Sequence, residues 1–98
     1  MLQVYGIAGA LLFATGIALV ATRRNAVMAL IGIELIFNAA NINLVAFAPF
    51  DPSGEGYTAS LFVMALAAAE AAVALALILN VFKRFRTVDL QRLRELKG

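Results

Sequence analysis

Hydrophobic positions in this chain fall into three long blocks, with polar residues confined to the gaps. Leu2–Thr22 is the first block, Ala26–Ala48 the second and Tyr57–Phe82 the third. Arg23-Arg24-Asn25 and Pro49–Gly56 separate them, and a mixed polar tail, residues 83–98, follows. Each block reaches the ~20 residues that a helix needs to cross ~30 Å of hydrocarbon. An open strand in lipid would leave backbone groups unpaired, and the alternation of a barrel strand is missing. The pattern predicts an all-α integral membrane protein with three transmembrane helices in one domain. The first block lacks a basic leader and exceeds a signal-peptide core in length, so it reads as a retained span.

Composition agrees with the pattern. Of the 98 residues 63% are hydrophobic and mean hydropathy is +0.92, where a soluble domain is about half apolar. Cysteine and histidine are both absent. The usual ligands of zinc, haem and iron–sulfur clusters are thereby removed. No metal site is expected, and any redox step linked to this chain belongs to a partner.

Charge adds an orientation. Arg23 and Arg24 fill the first gap, and Lys83, Arg84 and Arg86 follow the third block, while the second gap carries only Asp51 and Glu55. Basic loops stay inside. The expectation is a C-terminus and first loop in the cytoplasm, with the N-terminus and second loop outside. Tyr5 and Tyr57 then sit near the outer interface, and Phe82 and Phe85 near the inner one. A net charge of +2 placed at membrane edges implies a bilayer and no nucleic acid.

Two residues break the apolar blocks. Glu34 lies in the second and Glu70 in the third. A charge at the bilayer centre costs at least ~2.5–3.5 kcal/mol, and such groups usually mark ion or proton pathways. At ~1.5 Å per residue from the inner border, Glu34 is expected ~12 Å deep and Glu70 ~18 Å deep. If their helices face each other, the two carboxyls stand ~6 Å apart along the membrane normal. Protons pass between such groups through one or two waters.

Asn38 and Asn41 share a helix face with Glu34, whereas Asn43 points the other way. The amides either serve a carboxyl that changes protonation state or act as interhelical glue. Glu70 has alanines around it and no polar neighbour on its own face, so its partner comes from another helix, another chain or water. Three helices are few to shield two carboxyls, which argues for a subunit of something larger. Gly6, Gly9 and Gly16 on the first helix, and Ala68, Ala72 and Ala76 on the third, permit close packing. The simplest expectation is packing among the three helices, with partner contact as the alternative. Arg23 and Arg24 either set topology or meet a partner's loop. The tail, with Leu90, Leu93 and Leu96 among charges, forms an amphipathic helix or a solvated end.

The segments Gly32-Ile33-Glu34-Leu35-Ile36-Phe37-Asn38-Ala39-Ala40-Asn41 and Ala67-Ala68-Ala69-Glu70-Ala71-Ala72-Val73-Ala74-Leu75 resemble the second- and third-helix motifs of subunit K of NADH-quinone oxidoreductase, the small 4L-type subunit of respiratory complex I. Arg23-Arg24-Asn25 resembles that family's basic first loop, and Glu95-Leu96-Lys97-Gly98 its bacterial C-terminus. The resemblance implies a membrane-arm subunit of a redox-driven translocase in the bacterial cytoplasmic (inner) membrane. It implies neighbours among the quinone-proximal and antiporter-like subunits. NADH, FMN, iron–sulfur clusters and quinone are then held by partner subunits. It also implies that Glu34 and Glu70 relay protons and that Arg23 and Arg24 affect activity. The alternative is the small subunit of a multi-subunit cation/proton antiporter without redox chemistry. That relative shares the second-helix motif, but the Ala-Glu-Ala block around Glu70 is not expected in it.

Overall fold

Helix takes up nearly all of residues 2–97, the part of the chain that the computed structural model describes. The elements are α1 (Leu2–Thr22), α2 (Ala26–Phe47), α3 (Glu55–Phe85) and α4 (Leu90–Lys97), with a 3-10 turn at Ala48–Phe50. Helices α1 to α3 are each long and apolar enough to cross a membrane, the second counted together with its 3-10 turn. The first predicted block coincides with α1. In the second, Pro49 tightens the last turn, so the α-helix ends at Phe47 and Ala48 opens the 3-10 turn. Helix α3 runs beyond the third block, Tyr57–Phe82, at both ends. At 31 residues, α3 is ~46 Å long, more than one hydrocarbon thickness, so it tilts or projects.

Local chemistry sets the helix ends. Asn25 caps α2, its Oδ1 accepting from the N–H groups of Val27 and Met28. Between α2 and α3, the Asp51 carboxylate accepts from the backbone N–H and the hydroxyl of Ser53. Gly54 then turns the chain at φ +74°, a conformation that costs a glycine little. Glu55 opens α3 and Lys83 and Arg84 close it, which suits the helix dipole at both ends. Arg86 ends α3 at φ +58° and its N–H returns to the Phe82 carbonyl.

The three long helices stand in a row. α1 packs on α2 and α2 on α3, with no comparable contact between α1 and α3. The slab measures 54 × 23 × 17 Å. Among the described residues no large side chain is fully buried, and Ala39, Ala46 and Ala48 are the buried apolar ones that carry a side chain. Lipid tails are as apolar as leucine, so helices associate through close backbone approach instead. Gly16 and Gly32 mark the closest point of α1 and α2. A Cβ on Gly16 would fall 2.6 Å from the Gly32 carbonyl oxygen, and one on Gly32 2.8 Å from that of Gly16.

Two small-residue expectations fail here. Gly6 has nothing within 4 Å of its would-be Cβ. Ala68, Ala72 and Ala76 are all exposed. Helix α3 meets α2 through the other side, where Gly56, Ser60, Val63, Ala67, Ala74 and Ile78 are the less accessible residues. The tail is a helix, α4, and the chain leading to it folds back onto the first loop. The Val88 carbonyl accepts from Ala26 N–H at 2.8 Å. Gly98, the last residue of that tail, lies outside the described residues.

Candidate functional site

The α2–α3 seam is built on a seven-residue repeat. Glu34, Asn41 and Ala48 are two turns apart and point the same way, drifting only ~20° per heptad. Ala48 lies against Gly56, where an added Cβ would come within 2.9 Å of the alanine methyl. Asn41 Oδ1 accepts a hydrogen bond from Ser60 Oγ at 2.6 Å. Two turns further along, Glu34 comes level with Ala67, by the antiparallel register that Asn41 and Ser60 fix.

Glu34 is half-buried. Its Oε1 is shut off from solvent and has no hydrogen-bond partner among the described residues. A buried oxygen of this kind is costly to leave unmatched, by roughly 1–3 kcal/mol even when uncharged. The carboxyl thus has one oxygen shut in the seam without a donor from its own helices.

Glu70 is not buried by this chain. It is exposed, although Ala67 and Ala71 beside it are partly covered. The cause is the row-like arrangement. α3 has a single neighbour, and Glu70 lies on the edge of the face that meets it. The register also corrects the expected depths. Ser60 level with Asn41 makes Ala67 level with Glu34, and Gly56 level with Ala48 makes Glu70 level with it. Glu34 and Glu70 are therefore within ~5 Å of the same height, and Glu70 is not the one farther from the first loop.

The other predicted polar residues divide between faces. Asn41 is tied into the seam, while Asn38 is exposed. With Tyr5, Ile42 and Val45, Asn38 and Asn41 line a groove of about 190 Å³. Asn43 faces α1, where its Oδ1 would be 3.2 Å from a Cβ on Gly9. Arg23 and Arg24 are exposed at the end of the slab that also carries the tail.

Ser60 was missed by sequence reasoning. At 5% exposure it is the buried polar residue among the described ones. A serine one turn inside an otherwise apolar stretch, Ala59–Leu66, is the signal that identifies it. Outside the spans, the Ser53 hydroxyl and N–H hold the Asp51 carboxyl below its ordinary pKa. Among the described residues no group of three or more His, Cys, Asp or Glu could hold a metal ion.

Comparison with known proteins covers nearly the whole chain. The model of the NADH-ubiquinone/plastoquinone oxidoreductase chain 4L family matches residues 4–98. A protein of Chlorobaculum parvum named NADH-quinone oxidoreductase subunit K is 53% identical over 87 residues, 89% of this chain and 83% of the relative. The subunit K of Bdellovibrio bacteriovorus is 45% identical, over 96% of this chain and 88% of its own length. A chloroplastic NAD(P)H-quinone oxidoreductase subunit 4L of Nephroselmis olivacea is 44% identical, over 97% of this chain and 96% of its own.

Proposed function

Since the chain belongs to the chain 4L family of NADH-quinone oxidoreductases, a membrane subunit of a redox complex that holds no redox centre itself, we propose that it moves protons through Glu34 and Glu70. The observation that carries this reading is the Glu34 carboxyl, whose Oε1 is buried without a partner among the described residues. A carboxyl so placed calls for a partner, and it becomes a proton carrier when a neighbour supplies a donor or an acceptor. Glu70, nearly level with it, is the carboxyl with which it exchanges protons through intervening water. Asn41 and Asn38 extend polarity from Glu34 toward the far end of the slab, along the groove that Tyr5 borders.

The exposure of Glu70 supports a place inside a larger assembly. A carboxyl open to lipid at mid-span costs at least ~2.5–3.5 kcal/mol. Another membrane-arm subunit removes that cost by covering the flank. The quinone-proximal and antiporter-like subunits are the proposed neighbours. NADH, FMN, iron–sulfur clusters and quinone belong to other chains of the complex, and their electron transfer drives the proton step. All eight basic residues lie in the first loop, the end of α3 and the tail. This supports a cytoplasmic first loop and C-terminus, in the inner membrane of a bacterium. The relatives' names favour the redox complex over the antiporter subunit.

The test is Glu34→Gln and Glu70→Gln in the assembled complex, with NADH-driven proton uptake measured in inverted membrane vesicles. Pumping is expected to fall about a hundredfold, the low side of what a positioned proton-transfer group contributes, with assembly intact. Normal pumping in both variants overturns the relay.

A further inference from the structure

The link between α1 and α2 has three residues, Arg23, Arg24 and Asn25. A link so short leaves backbone groups open at a membrane edge. Two of them are closed by the tail. Leu90 N–H donates to the Arg24 carbonyl at 2.7 Å, and Ala26 N–H donates to the Val88 carbonyl at 2.8 Å. These bonds flank an antiparallel bridge between Asn25 and Asp89. The tail thus adds a short strand edge to the first loop.

The strap is anchored on both sides of the bridge. Arg86, in the left-handed conformation, reverses the chain as it leaves α3. Thr87 Oγ1 accepts from Asp89 N–H, and Asp89 Oδ1 accepts from Gln91 N–H at the start of α4. Leu90 and Leu93 then border, with Ala26, Leu77 and Ile78, an apolar pocket of about 140 Å³ at this end of the α2–α3 seam. The bonds come from backbone groups, so sequence pattern carries no sign of them.

We propose that residues 87–93 are a strap that positions the loop arginines, with Val88 and Leu90 as the positioning residues. The strap is continuous with α3, the helix that carries Glu70. A shift of the inner end of α3 is therefore passed to the Arg24 backbone, and a shift of the loop is passed back. The strap links the Glu70 helix to the loop that faces the cytoplasm. This inference rests on the proposed place of the chain in a proton-pumping complex.

A clean test exists because the chain has no cysteine. Residues paired across an antiparallel bridge have Cα atoms ~4.5–5.5 Å apart, within disulfide range. Asn25→Cys with Asp89→Cys is expected to cross-link in the assembled complex under copper-phenanthroline, with pumping retained. Leu90→Pro removes the N–H that holds Arg24, at a first helical position where proline is tolerated. It is expected to lower quinone-reductase turnover about three- to tenfold, the range of such indirect couplings, with KM for quinone unchanged. Leu90→Ala keeps the N–H and retains most of the activity, and the 25–89 disulfide restores Leu90→Pro. Wild-type turnover in an assembled Leu90→Pro complex overturns the proposal. So does failure of the disulfide to form in an otherwise native chain, a result that stands even if Leu90→Pro does not assemble. Should the Gln variants of Glu34 and Glu70 pump normally, the relay fails while the cross-link still judges the strap.

Discussion

Ser60 on α3 donates its hydroxyl to Asn41 on α2 at 2.6 Å, and the bond sets the register that brings Glu34 level with Ala67. Bonds of this kind between membrane helices average ~0.6 kcal/mol. Here the positional consequence exceeds the energy, because Glu34 is two turns along the same stripe as Asn41. Ser60→Ala is expected to lower thermal stability only slightly in detergent, by roughly that amount. It is also expected to shift the pH profile of NADH-driven pumping, and Ser60→Thr is expected to restore the profile. An unchanged profile in Ser60→Ala would show that the bond is packing alone.

The two faces of α3 should respond oppositely to bulk. Ala67 is half-buried toward α2 and Ala68 is exposed on the far side. Ala67→Leu overpacks the seam in front of Glu34, at about 1–3 kcal/mol, and should lower the melting temperature of the isolated chain. Ala68→Leu should leave that temperature unchanged and instead reduce incorporation into the complex, read by copurification of partner subunits. Equal effects of both changes would contradict the row arrangement.

On α1, Gly16→Ala places a methyl 2.6 Å from the Gly32 carbonyl oxygen, whereas Gly6→Ala meets nothing within 4 Å. The helix backbones must separate in the first case, at roughly 1–3 kcal/mol. Thermal unfolding in detergent should show a clear loss for Gly16→Ala and none for Gly6→Ala.

The α2–α3 loop supplies a pH prediction with a definite sign. The Ser53 hydroxyl, and then its N–H, lower the Asp51 pKa from 3.8. The folded value lies below the unfolded one, so the contribution is present above 3.8 and is lost as pH falls through the folded value. Exchange of the Ser53 amide is expected to show constant protection from neutral pH down to roughly pH 4 and loss only below it. Earlier loss would mean that another group controls the loop. Pumping changes near neutral pH are not expected to originate here.

A backbone prediction concerns the same loop. Gly54 adopts φ +74° with open space around it. Gly54→Ala therefore tests conformation without a clash. It should cost roughly 1–2 kcal/mol in thermal unfolding, and Gly54→Asn should recover part of that loss.

The sequence by itself determined the number of spans, the helical state and most helix ends, because hydropathy, length and backbone satisfaction in lipid are properties of each segment alone. It also determined that two carboxyls sit in the apolar blocks and that all the basic residues gather at one end. Tertiary structure decided the rest. It put α2 between α1 and α3, chose Gly16 and Gly32 over Gly6 as the contact, and turned the Ala68 stripe outward. It joined Ser60 to Asn41, left Glu70 open on a flank and brought Val88 to the first loop. Lipid solvates every apolar face equally, so the pattern along one helix does not say which face meets a neighbour. Only the fit of small residues and polar pairs between helices makes that choice.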